Sequence, residues 1–125
     1  MEIFKTLLSV GIGSFFGGIA RYGLSRAATM IAGSPTVWGT FAANIAGCLL
    51  IGLLYGLFER HNIAGEQWRM LLTVGFCGGF TTFSTFVNEN YSLLSDGRFI
   101  QTAIYASASF FIGLLMVYIG HFMTR

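Results

Sequence analysis

Charged residues are scarce in this sequence. Asp, Glu, Lys and Arg together account for 10% of the 125 residues, whereas hydrophobic residues account for 54%. A soluble domain carries roughly a quarter charged residues. With a mean hydropathy of +0.70, the chain is therefore predicted to be a membrane protein and not a soluble domain.

Proline and cysteine are almost as rare. The only proline, Pro35, marks a turn in the link 32–36. The two cysteines, Cys48 and Cys77, lie within apolar stretches, form no Cys-x-x-Cys pair and have no histidine cluster beside them. We interpret both as small buried hydrophobic residues and not as metal ligands or a redox pair.

Several functional signatures are missing too. The seven Lys and Arg residues are dispersed, so no basic stripe predicts a nucleic-acid partner. The sequence has no activated nucleophile, metal-ligand cluster or paired carboxylate, which argues against an enzyme. It also has no nucleotide-binding motif, which is compatible with passive conduction of a solute.

The apolar stretches are long enough to cross a membrane. At roughly 20 residues per span, the sequence predicts an all-α membrane protein. It would form a single four-helix transmembrane domain over residues 1–125, with spans at about 4–32, 38–58, 68–93 and 99–122. Because a bundle of this size encloses little interior, a path for an ion or solute requires a second copy.

The third span is the most irregular. Its stretch 73–89, TVGFCGGFTTFSTFVNE, replaces the usual Leu and Val with a Gly-Gly pair, hydroxyl residues and phenylalanines. The adjacent glycines Gly78 and Gly79 cost a helix roughly 1 kcal/mol each relative to alanine. We therefore predict that the third helix is broken near its middle. Such a break must be buried in protein or line a cavity, because lipid cannot solvate free backbone groups.

The other spans add isolated polar groups. Asn44 in span two is either structural glue between helices or a donor that faces a solute path. Tyr105 and Ser109 are i, i+4 neighbours on one face of span four. Arg21 in span one either snorkels to the headgroups, or pins a helix end or draws anions toward a vestibule. Glu89 is expected in an aqueous vestibule or at the interface.

These groups suit a small anion better than a cation. The hydroxyls and the Asn44 amide are neutral donors, and the rings of Phe83 and Phe86 present positive edges. No acidic residue lies in the middle of a span. The carbonyls that a broken helix frees could in turn hold a hard cation such as Na+.

Charge also bears on orientation. With four spans, two basic residues, Arg26 and Arg98, lie on one side of the membrane. The opposite side carries four, which are Lys5, Arg60, Arg69 and Arg125. This bias barely fixes the topology. We therefore expect insertion in both orientations and assembly as an antiparallel dual-topology homodimer, the single-gene counterpart of an inverted repeat.

The sequence resembles the CrcB/Fluc family of fluoride channels. The resemblance is carried by GGIARY at 17–22, GTFAANIAG at 39–47 and GFCGGFTTFSTF at 75–86, and it covers essentially the whole chain. It implies a passive fluoride-selective channel that exports fluoride across the cell membrane, expected to be the bacterial inner membrane, and so lowers fluoride toxicity. It also implies an antiparallel homodimer with two pores and a structural, non-transported Na+ at its centre.

The same resemblance implies roles for individual residues. Those along the fluoride path would be Asn44, Phe83, Ser84, Thr85, Phe86, Tyr105 and Ser109. The Na+ would be held by the backbone carbonyls of Gly78 and Thr81 from both copies. Gly113 stands on the line of Tyr105 and Ser109, at a position where a further hydroxyl would be expected.

Two other interpretations stay open. Small multidrug-type exporters are also short four-helix chains that insert in both orientations, but they need a membrane-embedded carboxylate to couple protons to cationic compounds. Span one carries only Arg21 at depth, and Glu89 falls near an end of span three. A purely structural membrane subunit would leave the run of hydroxyls and phenylalanines without a purpose.

Overall fold

The protein is all-helical in a computed structural model that describes residues 2–61 and 65–125. Its elements are α1 (Glu2–Ala32), α2 (Trp38–His61), α3 (Glu66–Met70), a π-helix, π1 (Leu71–Cys77), α4 (Gly78–Phe80), α5 (Ser84–Ser95) and α6 (Phe99–Thr124). α3, π1 and α4 follow one another without a gap, and together with α5 they form the third helical stretch.

Four helical stretches of the described chain are long and apolar enough to cross a membrane. They are Glu2–Ala32, Trp38–Arg60, Glu66–Ser95 and Phe99–Thr124. Large apolar side chains such as Ile31, Phe111 and Leu114 are exposed on their outer faces. Lipid tails are as apolar as these side chains, so this exposure suits a bilayer. The prediction of an all-α membrane fold with four spans is confirmed.

α1 packs closely against the third stretch through glycines. Gly13 and Gly17 are buried, and a Cβ on Gly13 would lie 2.7 Å from the Phe76 backbone nitrogen. One turn farther on, a Cβ on Gly79 would lie 2.8 Å from the Ser14 carbonyl oxygen. Only glycine leaves enough room at these crossings, as small residues do at membrane helix contacts.

α2 packs along α6 in the same way. A Cβ on Gly120 would lie 2.6 Å from the Leu53 backbone nitrogen, and a Cβ on Gly52 would lie 3.0 Å from Val117 Cα. Gly56 faces the last turn of α6. The molecule therefore consists of two closely packed pairs, α1 with the third stretch and α2 with α6, and contacts between α1 and α2 join them.

The third stretch changes conformation along its length. The π-helix Leu71–Cys77 leads into a short α-helical turn, Gly78–Phe80. Residues 81–83 lie outside any helix, and Thr81 is extended, with φ −89° and ψ 160°. α5 then begins at Ser84. Nothing in the sequence predicted the π-helix, a rare conformation that occurs frequently at functional sites.

Candidate functional site

Asn44 on α2 binds the backbone of the non-helical residues. Its Nδ2 donates to the Thr82 carbonyl oxygen at 3.0 Å, and the Thr82 backbone N–H donates to its Oδ1 at 2.7 Å. A residue outside a helix has lost its helical partners, and lipid offers no replacement for them. Asn44 supplies both a donor and an acceptor, so it ties residues 81–83 to α2.

The bond to Asn44 has a consequence for Gly78. In a continuous α-helix the Thr82 N–H would donate to the Gly78 carbonyl oxygen, but here it donates to Asn44. The Gly78 carbonyl therefore lacks its helical donor, and Gly78 is exposed. The preceding carbonyl, that of Cys77, accepts two hydrogen bonds from Thr81, one from its N–H at 3.0 Å and one from its Oγ1 at 2.8 Å.

Arg21 on α1 contacts the short helix α4, just before the non-helical residues 81–83. Its Nε donates to the Gly79 carbonyl oxygen at 3.3 Å, and the side chain is half-buried. The C-terminal carbonyls of a helix carry partial negative charge, which a cation stabilises. Arg21 thus has a protein acceptor at the point where the helical path of the backbone ends.

Two glycines, one on α2 and one on α6, leave room for side chains of neighbouring elements. A Cβ on Gly47 would collide with Cγ2 of Thr81, so the absence of a side chain on α2 lets Thr81 approach. On α6, a Cβ on Gly113 would lie 3.2 Å from the Sγ of Cys48. Gly113 is buried and faces α2 at this point, where a larger side chain would meet Cys48.

A cavity of about 540 Å³ adjoins the non-helical residues. The predicted ion-path and Na+ residues that line it are Asn44, Gly78, Thr81, Phe83, Phe86 and Ser109. Ser84, Thr85, Tyr105 and Arg21 are not part of this lining, and Ser84 and Thr85 are exposed. Among the described residues no Asp, Glu, Lys or Arg lines the cavity, so its wall is neutral.

Aromatic rings continue from this cavity toward α6. The ring centroids of Phe83 and Phe86 are 6.4 Å apart with an interplanar angle of 43°. Phe86 also meets Tyr105 edge-to-face at 5.1 Å. Phe83 is 77% exposed, so a single copy of the chain leaves most of this ring uncovered.

The two predicted hydroxyls on α6 differ in their partners. The Ser109 Oγ is buried and has no hydrogen-bond partner among the described residues, although it lines the cavity. An unmade hydrogen bond of this kind costs roughly 1–3 kcal/mol. The Tyr105 hydroxyl instead donates to Glu89 Oε1 at 2.7 Å. Of the two hydroxyls, Ser109 is therefore the one with an unused donor beside the cavity.

Glu89 forms a polar cluster that the sequence did not predict. Its Oε2 accepts a bond of 2.8 Å from the Thr40 Oγ1, and its Oε1 accepts the bond from Tyr105. Thr40 is buried and Glu89 is half-buried between α2 and α6. The sequence predicted only that Glu89 lies in an aqueous vestibule or at the interface, and it did not predict these two donors. The available signal was Thr40, which lies one helical turn before Asn44 on the same face of α2.

Comparison with known families assigns the chain. The family described as CrcB-like protein, Camphor Resistance (CrcB), matches residues 8–121. The chain belongs to the CrcB-like family. The three sequence motifs that carried the resemblance to CrcB/Fluc channels lie within the matched range, and so do α2, the third stretch and most of α1 and α6.

Relatives of this CrcB-like chain are similar over nearly their full lengths. A protein of Chlorobium phaeobacteroides (strain DSM 266 / SMG 266 / 2430) is 40% identical over 125 residues, which is 100% of this chain and 96% of the relative. One of Bacteroides fragilis (strain YCH46) is 44% identical over 123 residues, 95% of each chain. Both are named fluoride-specific ion channel FluC. The name is that of an ion channel and not of an enzyme, and with four apolar spans the chain is a multi-pass membrane protein.

Proposed function

We propose that this CrcB-like protein is a passive, fluoride-selective channel of the cell membrane, expected to be the bacterial inner membrane. The observation that carries the proposal is the neutral cavity in which the unpartnered Ser109 hydroxyl, the Asn44 amide and the rings of Phe83 and Phe86 meet. Relatives named fluoride-specific ion channel support the choice of ion.

The chemistry of the wall favours a small anion. A hydroxyl and an amide N–H are donors to an anion, and the positive edges of the two phenylalanine rings attract negative charge. A carboxylate in the wall would repel an anion, and none of the described residues lining the cavity carries one. Desolvating a small anion is costly, and these donors replace part of its hydration shell.

Export follows from the acid chemistry of fluoride. A weak acid crosses a membrane in its protonated form and dissociates inside the cell. The anion then leaves through a passive pore, down the membrane potential. This direction needs no nucleotide and no coupled ion, and it would lower the toxicity of cytoplasmic fluoride.

The non-helical residues 81–83 would be the functional break of the third helix. From Thr82 onward, the segment Thr82–Phe86 would form the wall of the anion path. The exposed hydroxyls of Ser84 and Thr85 would join this wall, and Tyr105 and Ser109 would extend it along α6. Arg21, bound to the Gly79 carbonyl, would stabilise the end of the helix at the break.

Before Thr82, the carbonyls of Gly78 and Thr81 would hold a structural Na+ that is not transported. The Gly78 carbonyl lacks its helical donor because Asn44 takes the Thr82 N–H. A hard cation prefers oxygen ligands, and unwound helices in transporters bind Na+ through carbonyls. No cluster of His, Cys, Asp or Glu side chains in the described chain offers an alternative metal site.

The active form would be an antiparallel dual-topology homodimer. Two carbonyls from one copy are too few for a cation, and the largely exposed Phe83 leaves the path open on one side. A second copy related by a two-fold axis would supply two further carbonyls and cover the ring. The weak difference in basic residues between the two sides permits both orientations.

Proton-coupled export of cationic compounds is the less suitable function. It requires a membrane carboxylate that faces the solute. Glu89 accepts hydrogen bonds from Thr40 and Tyr105, and it does not line the cavity.

The test is efflux from liposomes that contain the purified protein. Liposomes loaded with potassium fluoride receive a potassium ionophore, and an electrode records the fluoride released. We expect rapid fluoride release, and chloride-loaded liposomes should release no more chloride than protein-free ones. Equal release of both ions would contradict selectivity. Release that requires a proton gradient would contradict a passive channel.

A further inference from the structure

A second cavity lies at one end of the bundle. Its volume is about 470 Å³, and it lies between the link before α2, the end of α5 and the start of α6. Its wall is mostly apolar and includes Val37, Trp38, Phe41, Leu93 and Ile104. None of these residues lines the first cavity. Of the proposed anion path only Tyr105 also lines this crevice, and its hydroxyl donates to Glu89.

Arg98 supplies the only charge among the described residues of this wall. Its side chain is exposed. Within the described chain it has neither a hydrogen-bond partner for its guanidinium nor an ion pair, even though Asp96 is close in sequence. The amide of Gln101, also in the wall, lies one helical turn later on α6. At its mouth the crevice therefore presents an unpaired guanidinium beside an amide donor.

The crevice lies at the level of the membrane boundary. α1 and α5 end on this side of the bundle, and α2 and α6 begin there. Trp38, at the start of α2, is 64% exposed, as is typical of the aromatic belt at headgroup level. From Arg98 the wall follows α6 to Ala108, over about 15 Å at 1.5 Å per residue. It therefore runs from the headgroups into the hydrocarbon region.

We propose that this crevice binds one phospholipid with an anionic headgroup. The guanidinium of Arg98 binds the phosphate, since its planar fork matches phosphate oxygens. One acyl chain lies along Trp38 and Ile104. The apolar wall below Arg98 matches an acyl chain, whereas a small hydrated anion would use only the cation at the mouth. Apart from the edge of Tyr105, whose hydroxyl donates to Glu89, the side chains below Arg98 on α6 are apolar or the amide of Gln101.

Fluorescence quenching of Trp38 by brominated lipids tests this proposal. The chain has two tryptophans, so the Trp68→Phe variant leaves Trp38 as the only reporter. Vesicles of phosphatidylcholine receive increasing fractions of either phosphatidylglycerol or phosphatidylcholine that is brominated in its acyl chains. A basic residue near an anionic surface contributes about 1 kcal/mol, so we expect half-quenching at an about fivefold lower fraction of the brominated phosphatidylglycerol.

Two further substitutions in the same background isolate the headgroup contact. Arg98→Gln should abolish the preference for phosphatidylglycerol. Arg26→Gln removes the same charge from an exposed residue outside the crevice, and it should keep the preference. Native mass spectrometry of the otherwise unmodified chain gives the same comparison without Trp68→Phe, by counting retained phosphatidylglycerol with and without Arg98→Gln.

Three results would overturn the proposal. The first is equal quenching by the two brominated lipids, as expected if a second copy of the chain covers the crevice. The second is a preference that survives Arg98→Gln. The third is an absence of lipid preference together with slower fluoride efflux from Arg98→Gln in pure phosphatidylcholine, which would make the crevice an entrance for anions. None of these results bears on fluoride efflux by the unsubstituted chain, so the proposed function is tested separately.

Discussion

Asn44 and Thr82 exchange two hydrogen bonds across the gap between α2 and the third stretch, at 3.0 and 2.7 Å. This pairing links the two halves of the proposed site. It orients the segment that leads into Phe83 and Phe86, and it diverts the N–H that would otherwise occupy the Gly78 carbonyl. A side chain that the sequence could assign either to structural glue or to an anion path thus supports both proposed ion sites through the backbone.

Asn44→Asp tests this pairing. A carboxylate cannot donate to the Thr82 carbonyl, and it adds a charge that repels an anion. We expect fluoride efflux to fall by about tenfold or more, and the free energy of unfolding to fall by about 1–3 kcal/mol for the broken hydrogen bond. Asn88→Asp on the exposed face of α5 makes the same chemical change and should behave as the unsubstituted protein. Efflux that is unchanged in Asn44→Asp would reduce Asn44 to a packing residue.

Phe83→Ile and Phe86→Ile test the role of the rings. Isoleucine preserves bulk but has no quadrupole, so the positive ring edges are lost. We expect fluoride efflux to fall about tenfold in each variant, corresponding to about 1.4 kcal/mol, while size-exclusion chromatography shows an unchanged oligomeric state. Phe111→Ile on the lipid-exposed face of α6 is the matched control. Normal efflux in both Phe83→Ile and Phe86→Ile would remove the rings from the mechanism.

Tyr105 and Glu89 should act as a unit. Their hydrogen bond of 2.7 Å involves a carboxylate, and such bonds contribute roughly 1.5–3 kcal/mol. Tyr105→Phe and Glu89→Gln should each lower the free energy of unfolding, and the double variant should lose much less than the sum of the two losses. Tyr118→Phe, an exposed tyrosine on the same helix, should be neutral. Additive losses would show that the two residues do not interact in the membrane.

Gly47→Ala tests the space that Thr81 occupies. The added Cβ would collide with the Thr81 side chain, so the segment 81–83 must shift away from α2. We expect efflux to be largely lost, with stability reduced by about 1–3 kcal/mol as for other overpacked sites. Gly23→Ala on α1 has open space around it and should retain efflux and stability. If Gly47→Ala conducted normally, the position of Thr81 would not matter.

Thr81→Ala distinguishes carbonyl ligation from side-chain ligation of Na+. The Thr81 Oγ1 already donates to the Cys77 carbonyl, so the proposed ligand is its backbone carbonyl, which alanine retains. We expect efflux by the unsubstituted chain to fall when Li+ or K+ replaces Na+ in the liposomes, and Thr81→Ala should show the same fall. Loss of this dependence in Thr81→Ala would show that the hydroxyl is a ligand.

Much of the fold was predictable because hydrophobic length and glycine spacing are local signals. Hydrophobic length predicted the four spans. Gly78 with Gly79 predicted a break close to residues 81–83, although both glycines themselves lie in α4. The partners were not predictable, because they depend on how helices far apart in sequence meet. The two bonds of Asn44 to Thr82 and the Tyr105 bond to Glu89 arise only once α2, α5 and α6 have packed.

The π-helix Leu71–Cys77 escaped prediction for a different reason. Its sequence, LLTVGFC, has no proline. Its one polar side chain, Thr73, donates to the Arg69 carbonyl one turn earlier, so these residues alone predict an α-helix. Its Gly75 carbonyl accepts a bond of 3.3 Å from Ser14 Oγ on α1. An external donor of this kind competes for a carbonyl of the helix, and that competition is not visible in the helix's own residues.

The most direct test of fluoride conduction is the reversal potential of the purified protein in a planar bilayer. With a tenfold fluoride gradient and equal chloride on both sides, a passive fluoride-selective channel should reverse at about 59 mV, the value for one charge and a tenfold ratio. The potential should stay there when a chloride or proton gradient is added. A reversal potential near zero, or one that follows chloride or protons, would contradict the proposed channel.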